Sequence, residues 1–153
     1  MTTTTKRKRA LGAERDGWNW NALVRTGNAC YEDGHYDSAC ALYDDALALI
    51  DDLIAGGHLC RAVLMAKIVS HHNRGATLAR LGQPERADRE YAAAHDFVQT
   101  VIHDEEQPQG LREAARCHWT VTWAELRAFR CGHHANASET PSIHGETQGA
   151  VIH

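Results

Sequence analysis

No run of about 18 apolar residues occurs anywhere in the 153-residue chain, so no membrane-spanning helix is expected. Proline is scarce, at Pro84, Pro108 and Pro141 only. Cysteine occurs five times, at Cys30, Cys40, Cys60, Cys117 and Cys131, and no two form a CxxC pair. An odd count without a secretory leader argues for reduced thiols rather than a disulfide framework. The opening Met1–Arg9 carries charge but no apolar segment behind it, which excludes a signal of that kind and makes the cytoplasm the expected location. No glycine-rich phosphate loop and no GxSxG elbow are present. Enzymatic activity and a bound cofactor are therefore not expected.

What is present favours one globular, helical domain. Apolar residues make up 43% of the chain, and alanine, leucine, glutamate and arginine fill its middle. The formal net charge is −4, although Lys6, Arg7, Lys8 and Arg9 place four positive charges in the first nine residues. A basic arm on an acidic body reads as a solvated terminus, and it argues against a nucleic-acid partner.

The most patterned stretch runs from Gly27 to Asp52. It reads as two helices broken at Asp33-Gly34-His35-Tyr36-Asp37. Shifted by 48 residues, it returns without a gap: Gly27 falls on Gly75, Gly34 on Gly82, Ala39 on Ala87, Tyr43 on Tyr91 and Ala46 on Ala94. Five matches at one shift, at positions with special sterics, make an internal repeat. Glycine inside a helix costs about 1 kcal/mol against alanine, so Gly27 and Gly75 need a packing reason. Close approach of a partner helix supplies one, with Ala39 and Ala87 expected opposite the glycines and Tyr43 and Tyr91 filling the wider gap one turn on. Gly34 and Gly82 suit the left-handed residue that ends a helix. Pro84 suits the first turn of the next.

Five helices follow: about 17–33, opened by Asp16 as N-cap, then 37–55, 59–81, 84–103 and 109–131, the last stopping at Gly132. The expected layout is a basic arm over 1–15 and a helical domain over 16–132. Within the domain, repeats cover about 18–55 and 59–104, and a capping helix with a polar outer face covers 109–131. The tail 133–153, without aromatic residues, is expected to be disordered. The fold class is all-α, built of antiparallel helix–turn–helix repeats.

This pattern resembles the tetratricopeptide repeat. Gly27, Tyr31, Gly34, Tyr36, Ala39, Tyr43 and Ala46 match its positions in the first copy, and Gly75, Leu78, Gly82, Ala87, Tyr91 and Ala94 in the second. The spacing of 48 exceeds the usual ~34, and no proline closes the first unit after Ala46. The surplus equals roughly four helical turns, and whole turns keep the apolar face in phase. The resemblance implies an α-solenoid and a protein-binding adaptor whose first helices line a concave groove holding a peptide or a partner helix. Carried over by phase, the groove comprises Asn21, Val24, Asn28 and Tyr31 on the first helix. On the third it comprises Val69, His72, Ala76 and Arg80, and on the fifth Trp119, Thr122 and Leu126. Asn28 stands where some members clamp a C-terminal carboxylate, but Val24, Ala76 and Thr122 do not supply the rest of that clamp.

Two further expectations stand beside this one. Eleven histidines are many, and His58, Cys60 and His103, brought to one rim by antiparallel helices, are candidate ligands for zinc or copper. Such a metal-binding or redox-linked protein is the alternative reading. The other sets, His72 with Cys117 and His118, and Cys131 with His133 and His134, have no compact ligand spacing either. Only two and a half units are present, and Trp18 and Trp20 point to different sides of the first helix. A homodimer is one way to cover the exposed end.

Overall fold

The structure, a computed structural model, describes residues 19–138, with side chains as far as His133. The basic arm, Asp16, Trp18 and the tail beyond Ser138 lie outside the described residues. Helix α1 covers 19–32. It is followed by α2 (Tyr36–Ala55), α3 (Arg61–Arg80), α4 (Pro84–His103) and α5 (Gln109–Ser138). No strand occurs among the described residues.

The breaks are set by glycine. Gly34, Gly57 and Gly82 have positive φ values of 79°, 78° and 70°, a conformation that costs side-chain-bearing residues. Each closes the same hydrogen-bond pattern. His35 N–H donates to Cys30 O at 2.8 Å and Gly34 N–H to Tyr31 O at 3.1 Å. Gln83 N–H to Leu78 O at 2.9 Å and Gly82 N–H to Ala79 O at 3.1 Å repeat this 48 residues on. His58 N–H to Leu53 O and Gly57 N–H to Ile54 O do the same at the end of α2. These paired bonds satisfy carbonyls that the helix end would leave open. Pro84 opens α4, where its missing N–H is harmless.

Consecutive helices run antiparallel, as their side-chain pairs require. Between α1 and α2, Val24 packs with Ala39, Tyr43 and Ala46, and Trp20 reaches Ile50 and Leu53. Between α2 and α3, Asp44 pairs with Arg74 and Asp51 with Lys67. Leu64 and Ile68 of α3 bury Val98 and Val101 of α4, together with Leu111, Ala114 and Ala115 of α5. The first helices of the units also touch. Trp20 Nε1–H donates to the buried Ser70 hydroxyl at 2.9 Å, linking α1 to α3.

The small residues act as expected, with one correction. Ala39, Ala46, Ala87 and Ala94 are fully buried. The groups that close on Gly27 and Gly75, however, are the Tyr43 and Tyr91 rings rather than Ala39 and Ala87. The glycines are notches for tyrosine.

The end of the array differs more. α5 does not stop at Gly132 but runs on to Ser138, and Gly132 is not among the glycines of positive φ. Nor is its exposed surface uniformly polar: Trp119, Val121 and Trp123 are exposed by 37%, 51% and 42%. Trp119 and Trp123 stack at 6.3 Å and lie 5.3 and 5.4 Å from the His95 ring on α4. Shifted by 48, Trp123 takes the place of Gly75. Where the second unit has a notch for a following helix, the third has indole.

Candidate functional site

The surface shared by α1 and α3 is organised around Tyr43. Its ring is buried on α2, and its hydroxyl donates to Asn28 Oδ1 at 2.6 Å. Burial, reinforced by Tyr31, Cys30 and Glu32, pushes this phenol up to about 12, so it remains a donor. Asn73 on α3 donates through Nδ2 to the same oxygen at 3.1 Å. Two bonds to Oδ1 orient the exposed Asn28 amide and turn its NH2 away from them. Asn73, donating through its own NH2, keeps its carbonyl oxygen as an acceptor. A pocket of about 260 Å³ surrounds the pair, lined by Asn28, Tyr31, Glu32, Tyr43, Asn73 and Ala76.

One turn further along α3, Arg80 Nε–H donates to Tyr36 Oη at 3.1 Å, and its guanidinium lies 5.5 Å from that ring's centroid. Tyr31 meets Tyr36 edge-on at 5.3 Å. The groove-lining set thus brings Asn28, Tyr31, Ala76 and Arg80 to one surface, and adds Asn73 and Glu32.

Other members of the set fall elsewhere. Val24 is buried in the α1–α2 core. Thr122 is fully buried, and its hydroxyl bonds to the carbonyls of His118 and Trp119 and to His95 Nδ1 at 2.9 Å. Leu126 is buried as well. These three pack between helices and do not line a groove. Trp119 turns towards α4, onto His95. Val69 is half-buried. Asn21 lies in a separate apolar pocket of about 230 Å³ with Trp20, Ile50, Leu53, His58 and Cys60. His72 is half-buried against Tyr91 at 5.5 Å, with Nε2 enclosed and lacking a hydrogen-bond partner. Burial lowers its pKa, against a raising influence from Glu125.

The metal expectation finds no geometry. Among the described residues no group of three or more His, Cys, Asp or Glu side chains could hold an ion. His58 and Cys60 share the apolar pocket, and His103 does not line it. The five cysteines are free thiols. No helix among the described residues is long and apolar enough to cross a membrane.

Comparison with known families gives a match over most of the chain. A family model described as a protein of unknown function, DUF2753, matches residues 18–144. The chain belongs to the DUF2753 family. The match takes in all five helices, including the part of α5 beyond Gly132. No curated protein and no solved structure matches.

Two polar clusters in this DUF2753 member have no signature in one dimension. Arg74 pairs with Asp44 of α2 and with Glu90 of α4, and Glu90 also binds His71 Nδ1 at 2.8 Å. Burial acts to raise the Glu90 pKa, but the His71 hydrogen bond and the Arg74 charge outweigh it and hold the carboxyl below its usual range. The second cluster is His95. Gln99 Nε2 donates to its Nε2 at 3.1 Å, which leaves the proton on Nδ1 to donate to Thr122. The ring is thereby satisfied in its neutral form, and burial lowers its pKa. Both clusters join helices and stand apart from the Asn28 pocket.

Proposed function

We propose that this protein is a cytoplasmic, non-catalytic adaptor of tetratricopeptide-like build that holds an extended peptide of a partner protein across α1 and α3. The Asn28–Asn73 pair carries the reading. Side by side, it offers one amide donor and one carbonyl acceptor, the complement of a single peptide unit. Asn28 is held by the buried Tyr43 hydroxyl, so little side-chain freedom is lost on binding. Peptide backbone is common to all sequences, and this suits a module that reads a segment rather than a folded surface.

The test is selection from a displayed random-peptide library on the wild-type chain and on Asn28→Ala with Asn73→Ala. Both side chains face the surface, so helicity should be unchanged by circular dichroism. The reading requires that the wild type enrich peptides and that the double variant lose them. Equal enrichment on both proteins, or none on the wild type, overturns it.

A further inference from the structure

The 48-residue shift that relates the two units also relates their grooves. It carries Asn28 to Ala76, Asn73 to Val121 and Glu32 to Arg80. By sequence position the α3–α5 surface is the counterpart of the α1–α3 surface, with different chemistry. Where the first unit presents an amide donor and acceptor, the second presents Ala76 and the half-exposed Val121. At these two positions the second surface offers no hydrogen bond to peptide backbone. At the corresponding rim position, the first unit carries the exposed carboxylate of Glu32 and the second the exposed guanidinium of Arg80.

Side chains on α5 place Val121 on the groove side. Leu111 and Ala114 pack into the core shared with α3 and α4, and Glu125 acts on His72 of α3 and on Tyr91 of α4. Trp119 and Trp123 occupy the opposite flank, on α4. Val121 lies one turn before Glu125, on the α3 side.

We infer that the groove sets both the register and the charge order of its ligand. The ligand is an extended peptide with a basic side chain over Glu32 and an acidic one over Arg80. This rests on the peptide-holding reading and adds to it. Neighbouring packed helices lie roughly 10 Å apart, and an extended chain advances about 3.3 Å per residue. The two charges are therefore about three residues apart, and where the peptide continues past α3 onto α5 the side chain over Val121 is apolar. Tyr36 keeps Arg80 in place by a hydrogen bond and ring contact.

The experiment extends the peptide selection to the charge-swapped chain, Glu32→Arg with Arg80→Glu. Both side chains are exposed, so the fold should tolerate the swap, as circular dichroism will check. Wild-type selections should carry a basic and an acidic residue about three positions apart in one order, and the swapped chain should select the reverse order. Individual peptides with one mismatched charge should bind roughly two- to fivefold more weakly. If the wild type enriches peptides without this charge pair, or the swap leaves their order unchanged, the inference is overturned and the adaptor reading stands. If the wild type enriches nothing, both fall together.

Discussion

A Cβ placed on Gly27 would lie 2.7 Å from Cε1 of Tyr43, and one on Gly75 would lie 3.0 Å from Cε2 of Tyr91. The two contacts are equivalent under the repeat but not equal in consequence. Tyr43 is only 2% exposed and enclosed by Val24, Ala39 and Ala46. Tyr91 is only half-buried, so its ring is less confined than that of Tyr43. Gly27→Ala must move a packed ring, and overpacking of this kind costs about 1–3 kcal/mol. The helix-propensity gain of about 1 kcal/mol offsets part of that. Gly27→Ala is expected to lower the urea midpoint, and Gly75→Ala to lower it less or not at all. A stabilised Gly27→Ala protein would show that the ring contact does not constrain α1.

The Tyr43 hydroxyl links this packing to the surface pair. Tyr43→Phe keeps the ring and removes the bond to Asn28, a change of about 0.5–1.5 kcal/mol. Its larger effect should be on pH dependence. The phenol is raised from about 10 to about 12 in the folded protein, so folding favours its neutral form. That contribution is complete below pH 10 and is lost as pH rises through about 12. Wild-type stability should fall over this window, and Tyr43→Phe should flatten the fall. An unchanged alkaline slope in the variant would assign the loss to other groups.

Acid acts through the histidines. His72 and His95 both have pKa values lowered by burial from 6.5. Each contributes stability that is fully present above pH 6.5 and lost as pH falls through its folded value. Glu90, also depressed, adds its loss in a lower window, below 4.5. The urea midpoint should therefore decline in two stages between pH 7 and pH 3. Proton NMR of the ring Cε1–H signals separates the residues. A midpoint at or above 6.5 for either ring would remove that histidine from the first stage.

The helix breaks were legible because a left-handed residue and a proline leave local marks. Gly34, Gly57 and Pro84 stand where chain geometry needs them. Which face each helix buries was legible less finely. One residue turns a helix by about 100°, and a one-residue error exchanges the buried Thr122 for the exposed Val121. Asp44 carries no mark of its role in the sequence, because its partner Arg74 is 30 residues away on another helix. Asn73 and Glu32 were missed for the same reason. Their significance lies in a neighbour across α1 and α3, which repeat spacing does not disclose.

Gly132 provides the sharpest contrast between position and conformation. It lies 50 residues after Gly82, close to the repeat spacing, and so resembles a third helix stop. Gly82 has φ of 70°, whereas Gly132 lies inside α5, and a Cβ there would meet nothing within 4 Å. Alanine at an exposed helix interior gains about 1 kcal/mol over glycine, discounted because the site is near the helix end. Alanine in the left-handed region loses about 1–2 kcal/mol. Gly132→Ala should therefore raise the thermal midpoint and helical ellipticity slightly, and Gly82→Ala should lower the midpoint. If Gly132→Ala destabilises as Gly82→Ala does, α5 ends at Gly132 in solution, and the third unit closes as the first two do.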